Sequence, residues 1–191
     1  MNYKDITVGI VSFKSEKVIF DCLKSIKSIK KIIIFDNSYD IETKKKVANI
    51  YPNIKFILSK KNLGYGEANN KIIKSCKTEY LFILNPDTIL QPNCEMQLLK
   101  SINELKLNFS IIAPISNKKD FGNFDNSKVI FTKKLIKVDF VKGYAMLLNV
   151  KKIKKLGMFD KNIFLYLEEI DLCKRIKEKE KKIFVNKEAK I

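Results

Sequence analysis

Strand-like and helix-like stretches alternate along the first half of the chain, and this alternation constrains the fold more than any other feature. Short apolar, β-rich runs are each followed by a segment in which apolar residues recur at helical spacing. The predicted strands are residues 6–13, 31–35, 54–58 and 80–84, and the predicted helices between them are residues 18–29, 40–51 and 66–76. Repeated strand–helix units predict an α/β fold with a mostly parallel central sheet and helices on both faces.

The second half of the chain continues the pattern less regularly. A helix is expected over residues 93–105, a strand over 109–113, short strands near 128–131 and 140–149, a helix near 150–156 and an acidic-headed helix from about Leu167. Residues 116–127 are the most loop-like stretch and predict a mobile active-site loop. With 191 residues and no linker, we expect a single domain over residues 1–191.

Charge and composition exclude several kinds of catalytic and metal site. The chain carries 38 Lys and Arg against 21 Asp and Glu, a net charge of +17, which reflects either a lysine-rich composition or anionic partners. It has no histidine, which excludes Ser-His and Cys-His nucleophile pairs and His-ligated zinc. The four cysteines show neither disulfide nor metal spacing, and no apolar run approaches the ~18 residues of a membrane helix. These features predict a cytoplasmic protein in which carboxylates act as acids, bases and metal ligands.

The carboxyl ends of parallel strands are where ligands bind in such sheets, so the polar residues after each strand are the candidates. Asn85-Pro86-Asp87-Thr88 follows the fourth predicted strand, and a carboxylate placed there suits a hard divalent cation that keeps some waters. The competing interpretation is that Asp87 only caps a turn.

A glycine-containing segment, residues 62–70, follows the third predicted strand and leads into a helix. Such a segment allows close backbone approach to a phosphate or a sugar. It is neither the dinucleotide fingerprint, because Asn69 stands at the third glycine position, nor a P-loop.

Three carboxylates, Glu168, Glu169 and Asp171, lie at the start of the last predicted helix. Acidic residues favour helix N-termini, and Asp171 is spaced to pair with Arg175 one turn later. The aromatic and apolar flank at residues 164–167 would partly desolvate these carboxylates, which favours a general base.

Taken in order, these motifs resemble the family 2 glycosyltransferases of the GT-A fold, especially their rhamnosyltransferase-like branch. The likeness covers most of the chain and rests on seven segments. They are residues 8–13, 22–26, 33–38, the Asn-x-Gly-aromatic loop at 62–65 with Asn69 and Asn70, the metal motif at 84–88, the glycine strand at 142–147, and 157–160 followed by the acidic motif at 166–172. The resemblance implies a GT-A, Rossmann-like three-layer sandwich. In it, residues up to about 115 bind nucleotide and metal, and residues from about 116 shape the acceptor side.

The resemblance also implies roles for individual residues. Asp87 would hold Mn²⁺ or Mg²⁺ with help from Asn85, and Glu169 would deprotonate the acceptor hydroxyl. Glu168 and Asp171 would position acceptor or donor. The donor would be a nucleoside-diphosphate sugar, a UDP- or TDP-sugar by expectation, contacted by Ser12, Phe13, Asp36, Asn62, Gly64, Asn69 and Asn85.

The implied function is inverting sugar transfer to a glycan or lipid-linked acceptor in bacterial surface-polysaccharide synthesis. The lysine excess adds peripheral contact with anionic lipid at the inner face of the cell membrane. Two departures from the family pattern are Lys14, where Asn is common, and Glu169, where the family has Asp. The family also continues beyond the point where this chain ends. The alternatives are therefore a weak or inactive nucleotide-binding module and a transferase that needs a partner chain.

Two further alternatives come from the charge and from the sheet. A nucleic-acid partner is not expected, because no helix carries a concentrated basic recognition face. A nucleotidyltransferase on a similar sheet would need a glycine-rich signature after the first strand, and that signature is absent. The donor sugar stays open among rhamnose, galactofuranose and hexoses, because donor choice depends on pocket shape.

Overall fold

The computed structural model describes residues 2–116 and 134–191. The strands are β1 (Ile6–Ser12), β2 (Lys31–Asp36), β3 (Lys55–Leu58), β4 (Tyr80–Leu84), β5 (Ile111–Ile115), β6 (Leu135–Val138), β7 (Ala145–Asn149) and β8 (Ile183–Lys190). The α-helices are α1 (Ile19–Ser25), α2 (Ile41–Ile50), α3 (Tyr65–Ser75), α4 (Cys94–Leu105), α5 (Val150–Lys155) and α6 (Glu168–Glu178). A short 3-10 helix, Tyr3–Asp5, precedes β1.

All eight strands form one sheet in the order β3-β2-β1-β4-β7-β5-β8-β6. The first four strands are parallel, with β1 between β2 and β4 and with Ser12 opposite Asp36. Beyond β4 the sheet is mixed, because β7 runs antiparallel to β4 and β5, and β6 antiparallel to β8. The predicted α/β fold is confirmed. Its parallel part consists of β1 to β4, and the segments at residues 62–70 and 85–88 follow two of these strands.

Helices cover both faces of the sheet and create two separate cores. Alternate strand residues point to opposite faces, so Ile34 lies in one core while Ile33 and Phe35 lie in the other. Buried residues of α1, α2 and α4 pack on the first face, and those of α3, α5 and α6 on the second. The molecule is therefore a three-layer sandwich, in which burial of Ile, Val, Leu and Phe provides the main stabilising term.

Helix α1 ends earlier than its apolar spacing predicts. The pattern predicts a helix up to residue 29, but the structure leaves the helix at Ile26. The carboxylate of Glu95, on α4, accepts hydrogen bonds from the backbone amides of Lys27 (3.0 Å), Ser28 (2.9 and 3.0 Å) and Ile29 (2.9 Å). These amides donate to a side chain instead of to helical carbonyls, so a tertiary contact sets the end of α1.

Replacing Glu95 with glutamine is expected to lower the free energy of unfolding by about 2–3 kcal/mol, because buried hydrogen bonds to a charged acceptor contribute that much. Glutamine keeps one acceptor oxygen and turns an NH₂ group toward amides that also donate. Thermal unfolding followed by circular dichroism measures the loss. The matched control is Glu104→Gln, an exposed residue of the same helix. Equal stability of the two variants would contradict the role given to Glu95.

The second half departs from the sequence predictions at three strands, and one of them, β6, was not predicted. The predicted strand at residues 140–149 is wrong in its first half: β7 begins at Ala145, after a turn at Gly143 and Tyr144. Strand β8 was not predicted; it pairs with β5 and β6 and places Ile183 and Val185 in the core. The predicted strand at residues 128–131, and the predicted mobile loop beyond Ser116, lie outside the described residues.

Two predictions made from the composition concern the cysteines and membrane-spanning helices. All four cysteines lie in the described part of the chain and are buried free thiols. Among the residues described, no helix has both the length and the apolar character needed to cross a membrane. The predicted division into a nucleotide part and an acceptor part near residue 115 stays a prediction.

Candidate functional site

Polar side chains gather at the carboxyl edge of the four parallel strands. Ser12 ends β1 and is buried, and Asp36 ends β2 directly beside it. Phe13, the next residue after β1, is about half exposed, with the Lys14 ammonium 5.5 Å from its ring centroid. This edge therefore presents an exposed aromatic ring beside buried polar groups, a combination typical of small-molecule sites.

Asp36 holds the turn that follows β2. Its carboxylate accepts hydrogen bonds from the backbone amides of Ser38 (3.0 Å) and Asp40 (2.9 Å), and from the Ser38 hydroxyl at 3.0 and 3.1 Å. The Asp36 side chain is almost fully buried by this turn. Its predicted contact with a nucleoside stays a prediction, and the structure adds a role in shaping the turn.

Asn37 connects this turn to the glycine segment that follows β3. Its Nδ2 donates to the Gly64 carbonyl at 3.2 Å, and its Oδ1 accepts from the Leu63 amide at 3.2 Å. Within the segment, Asn62 Oδ1 accepts from the Gly64 amide at 3.0 Å. This role of Asn37 could not be predicted from the sequence, since its partners lie 27 and 26 residues away along the chain.

The glycine segment in turn touches the loop that precedes α6. The amide of Tyr65 donates to the Phe164 carbonyl at 3.0 Å. Gly64 has φ of 77°, and a methyl group there would lie 2.2 Å from the same Phe164 carbonyl oxygen. Only glycine fits this position. Gly64 therefore lets the start of α3 pack closely against the loop before the acidic N-terminus of α6.

Tyr65 is the point where three elements meet. Its hydroxyl donates to the Gly143 carbonyl at 2.8 Å. A methyl group at Gly143 would lie 3.6 Å from Tyr65 Cε1 and 3.5 Å from Glu169 Cβ. The Glu169 side chain therefore lies beside the Gly143 turn and the Tyr65 ring. The sequence offers no local signal for this meeting of α3, α6 and the turn before β7.

The Asp87 segment lies against the same turn. The Asn85 amide donates to the Tyr144 carbonyl at 2.9 Å, next to Gly143. Burial raises the pKa of the Tyr65 phenol; a hydrogen bond from Asn69 opposes the rise, and the negative charges of Glu168, Glu169 and Asp87 add to it. The Asp87 segment and Glu169 therefore lie against the same turn, at Tyr144 and Gly143 respectively.

The oxygen atoms near Asp87 suit a divalent cation. Asp87 is exposed, and Asn85 Oδ1 is buried without a hydrogen-bond partner among the described residues. Hard cations take carboxylate and amide oxygens, and Mg²⁺ is often held by one or two protein ligands plus substrate phosphates. Within residues 2–116 and 134–191, no group of three or more His, Cys, Asp or Glu side chains that could hold a metal ion is found.

Glu168 and Asn69 are buried acceptors at the meeting of α3 and α6. Glu168 is 4% exposed, Asn69 is fully buried, and each keeps one oxygen that no described group donates to, namely Oε2 and Oδ1. Burial raises the pKa of the Glu168 carboxyl; a hydrogen bond from its own backbone amide opposes this, and the charge of Glu169 adds to it. Predicted donor and acceptor contacts of these two residues stay predictions.

Asp171 is held by Arg175, as its spacing predicted. Arg175 donates to the Asp171 carboxylate at 2.6 and 2.9 Å and to the carbonyls of Leu156 and Met158 at 2.6 Å each. The pair therefore fixes the turn after α5. A direct role of Asp171 toward a substrate stays a prediction.

Solved structures of glycosyltransferases share this fold over nearly the whole chain. GalNAc-T7, crystallised with UDP, GalNAc and Mn²⁺, has a TM-score of 0.76 at 14% identity, over 95% of this chain and 42% of its own. The mannosyltransferase PcManGT of Pyrobaculum calidifontis, in complex with GDP-Man and Mn²⁺, has a TM-score of 0.75 at 12% identity, over 97% and 55%. S. aureus TarS 1–349 in complex with UDP-GlcNAc has a TM-score of 0.74 at 14% identity, over 97% and 56%. The chain therefore has the GT-A glycosyltransferase fold.

Sequence comparison identifies the family. Residues 7–170 match the sequence model of glycosyl transferase family 2, and the chain belongs to that family. It is also similar to "Low-salt glycan biosynthesis hexosyltransferase Agl10" of Haloferax volcanii, with 26% identity over 191 residues, 90% of this chain and 61% of that protein. The chain thus spans about three-fifths of the length of this curated relative.

Proposed function

We propose that this chain is an inverting, metal-dependent glycosyltransferase that moves a sugar from a nucleoside-diphosphate sugar to a glycan or lipid-linked acceptor. The observation that carries the proposal is that the Asp87 segment and Glu169 lie against one turn, Gly143–Tyr144. A donor-side carboxylate that holds a cation and an acceptor-side carboxylate that takes a proton suit a single displacement at a sugar carbon. Structurally similar proteins have been solved with UDP, UDP-GlcNAc, GDP-Man and Mn²⁺, which supports the substrate class.

On the donor side, the exposed ring of Phe13 would stack on the base beside the Asp36 turn. The glycine segment, tied down by Asn37 and Asn62, would approach the diphosphate with its backbone amides. Asp87 and Asn85 would hold the divalent cation. The form of the segment at residues 84–88 supports the rhamnosyltransferase-like branch, and we extend the proposal to surface-polysaccharide synthesis on the same basis.

The proposed reaction is a single displacement and forms no covalent intermediate with the enzyme. The acceptor oxygen forms a bond to the anomeric carbon as the bond from that carbon to the diphosphate oxygen breaks, and Glu169 takes the acceptor proton. A bound divalent cation would stabilise the negative charge that develops on the leaving diphosphate. Tyr65 would keep the Gly143 turn beside Glu169 through its hydroxyl hydrogen bond.

Removing the Asp87 carboxylate is expected to abolish metal-dependent nucleotide binding. A ligand at one hundred times its dissociation constant stabilises the folded state by about 2.7 kcal/mol, which raises Tm by about 5–10 °C in a chain of this size. We expect one nucleoside diphosphate among UDP, TDP, GDP and ADP to give this shift only with Mn²⁺ or Mg²⁺, and Asp87→Ala to remove it. Thermal-shift measurements with and without metal test this, with CMP as the monophosphate comparison.

The matched control is Asp139→Ala, which removes an exposed carboxylate paired with Lys177. This control should keep the full metal-dependent shift. A wild-type protein that no nucleotide shifts would contradict the proposed donor site. A metal-dependent shift that survives in Asp87→Ala would reassign the metal ligand.

The second candidate function is a nucleotide-binding module without turnover, or a transferase that needs a partner chain. The observation that favours it is glutamate at position 169, where the family has aspartate, because an extra methylene displaces the carboxylate. This module would show the nucleotide shift and no sugar transfer. Turnover that depends on Glu169 would exclude it.

A further inference from the structure

Residues 164–167, called the apolar loop below, are four consecutive large apolar side chains on the surface. Their exposed fractions are 56% for Phe164, 50% for Leu165, 76% for Tyr166 and 67% for Leu167. Soluble surfaces commonly carry single exposed apolar residues, whereas a contiguous run marks an interaction site. The loop ends directly before Glu168, so it lies at the rim of the candidate site.

The backbone of the apolar loop is held in a conformation that exposes its side chains. Tyr166 and Leu167 have φ of 66° and 69°, in the left-handed region that bulky L-residues rarely adopt. The loop is nevertheless anchored: the Phe164 carbonyl accepts from the Tyr65 amide at 3.0 Å, and the Leu167 carbonyl from the Asp171 amide at 3.0 Å. Neither side chain gains burial from this conformation, so packing within the chain does not explain it.

Basic residues accompany the apolar loop. Lys161, exposed, precedes it in the same connection. Lys60 and Lys61, also exposed, directly precede Asn62 in the glycine segment whose Gly64 contacts Phe164. The whole chain carries +17. Aromatic and leucine side chains flanked by lysine suit the interface of an anionic bilayer, where the apolar groups enter the headgroup boundary and the ammonium groups meet phosphate.

We propose that the apolar loop inserts into an anionic membrane surface and thereby presents a lipid-linked acceptor to Glu169. The acceptor half of this inference rests on the proposed function. An acceptor sugar attached to a lipid lies at the headgroup level, so a loop that enters the bilayer next to Glu169 brings the acceptor hydroxyl to the base.

Two other occupants fit the loop less well. A second copy of this chain would bring two net charges of +17 together, and a stable dimer needs far more area than one four-residue loop. A water-soluble glycan would need many hydrogen-bonding groups, and among these four side chains only Tyr166 carries one.

Vesicle co-sedimentation tests the insertion. We expect the wild type to bind vesicles of phosphatidylcholine with phosphatidylglycerol, and to bind pure phosphatidylcholine vesicles more weakly. The double variant Leu165→Ser, Leu167→Ser should lose at least about tenfold in its partition coefficient, because burying each leucine contributes more than one factor of ten. The matched control is Ile50→Ser, Leu107→Ser, which removes two equally exposed apolar residues that precede β3 and β5, at the opposite edge of the sheet.

A second measurement does not depend on the loss of binding. The chain contains no tryptophan, so Leu165→Trp places the protein's single tryptophan in the apolar loop, and its emission can be excited apart from that of the tyrosines. Its emission should shift to the blue with anionic vesicles and be quenched by lipids brominated in the acyl chain. Ile50→Trp should show neither effect. Emission of Leu165→Trp that stays unchanged while the protein sediments with vesicles would overturn the insertion and leave binding to charge alone.

The remaining outcomes separate this inference from the proposed function. Vesicle binding and the nucleotide thermal shift are independent readouts of the same protein. A double variant that keeps the nucleotide shift and loses vesicles supports the inference. A wild type that shows the shift and ignores all vesicles overturns the inference alone, as does a dimer that the double variant dissociates. A wild type that binds vesicles and shows no nucleotide shift overturns the acceptor half, together with the proposed function.

Discussion

Replacing Glu169 with glutamine is expected to slow sugar transfer about 10²–10⁴-fold, the usual contribution of a general base. Glutamine matches glutamate in shape, so the side chain should stay beside the Gly143 turn, where a methyl group would lie 3.7 Å from the Glu169 carboxyl carbon. It cannot take the acceptor proton. Release of nucleoside diphosphate from the sugar nucleotide, measured with and without acceptor, gives the rate.

Three comparison variants define what this result means. Glu178→Gln makes the same change at an exposed position of the same helix and should leave the rate unchanged. The nucleotide thermal shift of Glu169→Gln should equal that of the wild type, since the base does not hold the donor. Glu169→Asp shortens the reach by one methylene and should cost about 100-fold in a site built around glutamate. A large loss in Glu168→Gln with little loss in Glu169→Gln would instead identify Glu168 as the base.

Local patterning was enough to predict the parallel half of the sheet. Each of strands β1 to β4 is a short apolar run that ends at polar residues, and each following helix shows its own apolar period. The end of α1 was not predictable in this way. Its apolar spacing continues to Ile29, but the Glu95 carboxylate takes the backbone amides from Lys27 onward. A contact between residues 66 positions apart does not alter the local hydrophobic pattern from which the helix was predicted.

Strand β8 was not predicted because it, too, depends on contacts with distant parts of the chain. Its buried and half-buried residues, Ile183–Asn186, stand in a row and are followed by Lys187 and Glu188, so a clear period-two alternation is missing. Its pairing with β5 and β6 makes it a strand. Strand propensity depends strongly on such tertiary partners, which a single sequence does not display.

In the candidate site, too, contacts between residues close in sequence were predictable and contacts between distant residues were not. Asp171 and Arg175 stand one helical turn apart, so their ion pair followed from spacing alone. The Tyr65–Gly143 hydrogen bond and the Asn37–Gly64 bond join residues from different parts of the chain, and no motif foretold them. The sequence thus indicates which carboxylates to examine, whereas their shared position at the Gly143–Tyr144 turn is visible only in the fold.

Replacing Gly64 with alanine is expected to lower the free energy of unfolding by about 3 kcal/mol. Its backbone, with φ of 77° and ψ of 173°, lies in a region that is nearly exclusive to glycine, and forcing another residue there costs about 1–3 kcal/mol. The new methyl group would also collide with the Phe164 carbonyl oxygen and displace it from the Tyr65 amide, a hydrogen bond that contributes about 1 kcal/mol. Tm should fall by about 10 °C.

Gly157→Ala separates backbone strain from the collision. Gly157 also has positive φ, 92°, but the nearest atom to a methyl group there is Arg175 Nη1 at 4.0 Å. This control should therefore lose only the cost of the left-handed backbone, about 1–2 kcal/mol. Equal losses in the two variants would mean that the Phe164 carbonyl yields freely. A larger loss in Gly64→Ala, together with a weaker nucleotide shift, would mean that the contact between the glycine segment and the loop before α6 keeps the donor and acceptor sides of the site in register.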